Sequence, residues 1–140
     1  MKETNGKKGA VPAPFELVSA LAALLLAVGC ATVFRACAAT EDGAWMHCHA
    51  AQLAVTACAA AQCALLLGAA FIGSRPVRAC LCALSCACAV VAFFIPGGIV
   101  SMCAMQSMRC WAVMRPFSRI MAAVVALMSA AGVVRAARGR

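Results

Sequence analysis

Four long apolar runs dominate the sequence, each close to the length that a bilayer demands of a helix. About 20 apolar residues are needed to cross roughly 30 Å of hydrocarbon. The runs cover about 15–35, 50–73, 79–96 and 117–134. Glu16 and Arg119 interrupt the first and last near their starts, and the second carries Gln52 and Gln62 but no charge. With no water in the bilayer core, backbone groups must be satisfied within a helix or a closed barrel. Apolar and polar residues never alternate over ten positions, as a barrel strand requires. The reading is therefore all-α: a four-span transmembrane helical bundle, one integral membrane domain over 1–140, with outer loops at 36–49 and 97–116.

Composition excludes the main competitor. Hydrophobic residues make up 66% of the 140 and charged residues 11%, against about half and a quarter in soluble domains. A chain this short cannot hide so much apolar surface from water. The 35 alanines let helix backbones approach closely, which replaces the hydrophobic drive missing between helices in lipid. Faces of small residues at i, i+4 spacing are expected along Ala122, Ala126 and Ala130, and along Ala50, Ala54 and Cys58, the latter continued by Gln62. Gln62 reads as a helix–helix contact in mid-span. Glu16 and Arg119 read as side chains that snorkel to opposite headgroup layers.

Charge orients the bundle. Lys2, Lys7, Lys8, Arg75, Arg78, Arg135, Arg138 and Arg140 fall on one side; Arg35, Arg109, Arg115 and Arg119 fall on the other, with Glu41 and Asp42. Cytoplasmic flanks carry the excess of Lys and Arg, so both termini are expected in the cytoplasm. The formal net charge of +8 is spread over tails and loops with little aromatic interleaving, which argues against nucleic acid as a partner. Anionic headgroups of the lipid bilayer suit it better. The segment Ala27-Val28-Gly29-Cys30 mimics a lipoprotein processing site, but the run stays apolar through Ala31-Thr32-Val33-Phe34, where a polar tether would be expected.

The eleven cysteines divide sharply. Seven lie in the spans, where thiols behave as small hydrophobes. Within the Cys80-Leu81-Cys82 and Cys86-Ala87-Cys88 clusters, neighbours two residues apart point about 200° from each other on a helix. The other four lie in the outer loops: Cys37 and Cys48 in the first, Cys103 and Cys110 in the second. Thiols outside the cytoplasm tend to pair, and four allow three connectivities. Cys37 with Cys48 and Cys103 with Cys110 is the simplest; cross-loop bonds would staple the hairpins. The same loops also hold His47 and His49 beside Cys48, and Met102, Met105 and Met108 beside Cys103 and Cys110. Imidazole, thiolate and thioether suit Cu or Zn, so these eight residues are candidate ligands of a soft metal, although no cofactor is required by any motif. A third reading is a redox relay. Four spans with two cysteines per outer loop resemble bacterial disulfide-bond oxidases that pass electrons to quinone. Their Cys-x-x-Cys pair has no counterpart here, which removes the spacing that tunes the thiol.

Taken together, Cys37, Glu41-Asp42-Gly43, Trp45-Met46, Cys48-His49, Met102-Cys103, Met105, Met108-Arg109-Cys110 and Pro116 resemble a family of bacterial four-helix membrane proteins, domain of unknown function 4418. The resemblance implies an integral protein of the bacterial inner membrane and supplies no substrate. No Ser-His-Asp set, phosphate loop or acid–base carboxylate pair is present, which argues against an enzyme. The expected role is a non-enzymatic membrane component, an accessory of a transporter or another membrane complex. The alternative is extracytoplasmic thiol-redox or Cu/Zn handling.

Overall fold

The computed structural model describes residues 13–138. Four helices follow in order: α1 (Pro14–Ala31), α2 (His47–Phe71), α3 (Arg75–Phe94) and α4 (Arg115–Ala137), the last preceded by a π turn, Cys110–Met114. All four are long and apolar enough to cross a membrane. Pro14, Pro76 and Pro116 each sit in the opening turn of a helix, where the missing N–H is not needed and the fixed φ is already helical. Residues 72–74 alone join α2 to α3, so those two helices must lie antiparallel. Each helix packs on its neighbours around a ring, α1 on α2, α2 on α3, α3 on α4, and α4 back on α1.

The packed faces do not follow simple i, i+4 stripes. On α4 the buried residues are Ser118, Ala122, Val125, Ser129, Gly132 and Ala136, steps of four and three in alternation. On α3 they are Cys82, Ser85, Ala89 and Ala92. A mean period of 3.5 is the signature of left-handed supercoiled packing, in which each helix keeps one seam toward its partner. Accordingly Ala126 is half-buried and Ala130 exposed, so the expected Ala122–Ala126–Ala130 face drifts off the seam. Ala50 is likewise exposed and Ala54 and Cys58 half-buried, while Cys48, Ala51, Val55, Ala59 and Gln62 carry the contact on α2. The bulky residues point outward: Leu24 and Leu25 on α1, Leu84 and Val91 on α3, Ile120 and Leu127 on α4 are all exposed. A soluble monomer would not sustain such a surface; facing lipid, it is the expected one. The chain is a multi-pass membrane protein.

Small residues set the helix spacing. A Cβ on Gly132 would lie 3.0 Å from the Cys82 Sγ, and one on Gly29 only 2.6 Å from the tip of the Phe117 ring. Phe117 stacks on Phe34 with centroids 3.9 Å apart, which closes the α1–α4 seam. Ser85 and Ser129 share a hydrogen bond of 3.1 Å between α3 and α4, and the Cys86 thiol donates to the Ala126 carbonyl.

The interrupting polar residues behave differently from expectation. Glu16 is only 3% exposed: it sits in the first turn of α1, where the partial positive charge of the helix end favours a carboxylate. Arg119 donates to the Pro96 carbonyl and lies over the Phe93 ring, so it ties the end of α3 to α4 instead of snorkelling. Cys30 is fully buried, packed as a small apolar side chain within the bundle. The charges at Lys2, Lys7, Lys8 and Arg140 lie outside the described residues.

Gln62 is fully buried between helices, yet among the described residues neither its amide oxygen nor its nitrogen has a partner. An unpaired buried polar group costs about 1–3 kcal/mol. Gln62→Met, which keeps volume and removes the orphan groups, is expected to raise the unfolding midpoint in detergent; an unchanged or lower midpoint would mean that the amide is satisfied.

Candidate metal centre

The two long connections, 32–46 and 95–109, leave the same end of the bundle, because α1 and α3 both finish there. Local structure fixes each. After α1 the Phe34 N–H returns to the Gly29 carbonyl, and the Ala36 N–H donates to the Gln52 Oε1 of α2 at 2.8 Å, a buried bond. Gln52 thus holds the backbone immediately before Cys37. A tight turn follows, Thr40 to Ala44, with Gly43 at φ 76°. The chain then enters α2, placing Cys48 in its first turn.

The second connection begins with a reversal at Pro96-Gly97-Gly98. Gly97 has φ 80° and its N–H donates to the Val100 carbonyl. A Cβ on Gly98 would lie 2.5 Å from the Phe94 carbonyl oxygen, so only glycine fits without moving backbone. Farther on, the Trp111 indole N–H donates to the Cys103 carbonyl at 2.7 Å, gripping the chain at the cysteine itself. Trp111 belongs to the π turn that opens with Cys110, in which the Arg115 N–H reaches the Cys110 carbonyl. Inserted turns of this type often re-aim side chains at functional sites.

These devices bring Cys37, Cys48, Cys103 and Cys110 together with all four Sγ atoms within 4.8 Å of one another. Cys48 and Cys110 are fully buried and lie at helix starts; Cys37 and Cys103 are half-buried and lie on the loops. The positive ends of two helix dipoles therefore face the sulfurs, an arrangement that favours negative charge. Burial pushes the Cys37 thiol up, but hydrogen bonds from the Cys110 backbone and from the Cys110, Cys48 and Cys103 thiols outweigh it and hold it below its ordinary value. At Cys103, burial and the hydrogen bond with Cys48 push the thiol up.

The expected disulfides are not what this geometry displays. All eleven cysteines are free, and the loops interleave: the Cys103 thiol points at the Cys48 Sγ at 3.2 Å, across the two connections. The wider ligand set also separates. His47 is exposed, and His49 stacks on Trp45 at 4.0 Å. Met105 is 60% exposed, whereas Met102 and Met108 pack on the apolar cluster around the sulfurs. A thioether absent from the sequence-based set, Met46, lies 3.9 Å from the Cys103 Sγ. Gln52 and Trp111 are the supporting residues that sequence reasoning missed. Their signals were present: a lone amide one helical turn after Cys48, and an indole N–H that needs an acceptor when buried.

A family described as a domain of unknown function (DUF4418) matches residues 19–135. The chain belongs to the DUF4418 family. The match spans all four cysteines of the cluster and reaches into all four helices. Comparison with curated proteins and with solved structures finds no match.

Proposed function

We propose that this DUF4418 protein is a membrane-embedded soft-metal-binding protein in which Cys37, Cys48, Cys103 and Cys110 hold one zinc-class divalent ion. The observation that carries the reading is the mutual approach of four sulfurs to within 4.8 Å. Around a tetrahedral Zn with Zn–S bonds of about 2.3 Å, sulfurs lie roughly 3.8 Å apart, so small side-chain adjustments bring the set to that spacing. An all-thiolate set of four favours Zn over Cu, which is drawn to fewer or mixed ligands. Two helix N-termini offset part of the charge of four thiolates. Small residues fill the seams between the helices below the cluster, which suits an ion held at one end and passed to a membrane partner such as a transporter complex.

The same reading places the cluster outside the cytoplasm and both termini inside, in a bacterial inner membrane. In support, the sequence carries eight Lys and Arg at the end of the termini against four at the cluster end, which Glu41 and Asp42 partly offset.

Protein purified under reducing conditions should contain about one zinc per chain. Chelation should then expose four further thiols to maleimide, mapping to Cys37, Cys48, Cys103 and Cys110. Metal-free protein under reducing conditions, or these four joined in disulfides when reductant is omitted, would overturn the proposal. The 3.2 Å Cys48–Cys103 approach would in that case favour a second reading, thiol oxidation. Closing that bond releases two electrons and two protons, and a quinone-class acceptor would have to take them.

A further inference from the structure

On the Cys37 side of the sulfur cluster the structure opens a cavity of about 400 Å³, within the size range of small-molecule sites. Arg35 and Arg109 line it, and no carboxylate does so among the described residues. The Arg109 Nη2 donates to the Val33 carbonyl at 3.4 Å, which orients that guanidinium; among the described residues its other N–H groups have no hydrogen-bond partner. The stacked Trp45 and His49 rings form a flat wall. Of the four clustered cysteines, Cys37 alone is on the lining. The cavity thus joins a soft sulfur to a doubly cationic rim, and the ligand that matches both is a small organic anion with a sulfur of its own.

We propose that this cavity binds a small anionic thiol of the glutathione type, and that its thiolate replaces Cys37 in the metal's coordination shell. The exchange step rests on the metal reading above. Cys48 and Cys110 are fixed on helices and fully buried, so Cys37, on a loop and open to the cavity, is the ligand that leaves. One metal–sulfur bond forms to the incoming thiolate and one breaks to Cys37. The proton lost by the incoming thiol is taken up by the departing Cys37 sulfur, the number of thiolates bound is unchanged, and no electrons move. Carboxylates on the incoming molecule pair with Arg35 and Arg109, for which the planar, forked guanidinium is suited.

Two measurements on the full-length protein in nanodiscs test this. In reduced, metal-free protein, Cys37 is alkylated with anionic iodoacetate or neutral iodoacetamide and read by peptide mass spectrometry. Both reagents attack the same sulfur, so their ratio reports the charge around it. The ratio is expected to fall about tenfold in the Arg35→Gln/Arg109→Gln double variant. S-methylglutathione, which cannot react, should protect Cys37 saturably in the wild type only. In zinc-loaded protein, glutathione should accelerate zinc transfer to a chromogenic chelator with saturation, and S-methylglutathione should not. An unchanged alkylation ratio, unsaturable protection, or transfer that rises linearly with any thiol would overturn the proposal. If the alkylation results hold and no metal is taken up, the metal reading falls and the anion site stands without its exchange step. If metal binds and the alkylation results fail, the cavity proposal falls and the metal reading stands.

Discussion

Replacing any one of Cys37, Cys48, Cys103 or Cys110 by Ser is expected to weaken zinc binding about a hundredfold, whereas Cys58→Ser or Cys88→Ser leaves it unchanged. Structural zinc binding releases about 10–16 kcal/mol across four ligands, or on the order of 3 kcal/mol for each. A tenfold change in affinity corresponds to about 1.4 kcal/mol. Competition with a chromogenic chelator on reduced protein reads the effect directly. Stability should follow the metal: an ion that binds only the folded state, at about a thousand times its Kd, adds roughly 4 kcal/mol. Chelation should therefore lower the unfolding midpoint of the wild type and shift the four cluster variants only about a third as far, since a hundredfold weaker site leaves roughly 1.4 kcal/mol. The specificity of the pattern is the point. If the loss is equal at Cys58, which lies half-buried on α2 outside the cluster, thiols are binding the ion without a site. If a single cluster variant retains full affinity, the set of four is wrong.

The second large effect concerns backbone. Gly98→Ala is expected to destabilise the protein by about 1–3 kcal/mol and to weaken metal binding with it. The added Cβ meets a main-chain oxygen, that of Phe94, at 2.5 Å. No rotamer change can relieve that contact, so the reversal itself must open. The Ile99 and Val100 N–H groups now bond the Phe94 and Ile95 carbonyls, and the connection they start delivers Cys103. Gly73→Ala is the matched control. Nothing lies within 4 Å of its Cβ position, so the substitution chiefly restricts the unfolded chain and should be neutral or stabilising by about 0.4–1 kcal/mol. Equal midpoints for the two variants, measured by unfolding in mild detergent, would show that the reversal tolerates the side chain and does not position the cluster.

The segregation of cysteines was legible because it is a one-dimensional property: a thiol either lies in an apolar run or between two. Their meeting was not. Cys37 and Cys103 are separated by two complete helices, and whether their loops cross or stay apart depends on how α1 and α3 end. Pairing within each loop was the simplest connectivity on the sequence because it needs no knowledge of the other loop. Single bonds hold each loop to the element that follows it, Gln52 to Ala36 and Trp111 to Cys103, and the contacts that cross between them run from Arg109 to Val33 and from Cys103 to Cys48. A polar residue in an apolar run announces that it needs a partner and does not say which one.

The packing shows the same division. Runs of about 20 apolar residues in lipid must become helices, because no other way exists to satisfy their backbone groups. The short turn left between the second and third runs, 74–78, makes those two antiparallel. Both conclusions follow from the sequence alone. The buried seam does not, since helices rich in alanine present small residues on every side, and supercoiling selects the 3.5-residue period over straight i, i+4 rows. It also decides that Glu16 turns inward, and that Gln62 is buried with neither amide atom paired. The sequence by itself determined the solvent of this protein, its four helices and the end of the bundle where chemistry is possible. Tertiary structure decided that four sulfurs share one site with a cationic cavity beside it, because contacts across two loops depend on geometry that no local pattern encodes.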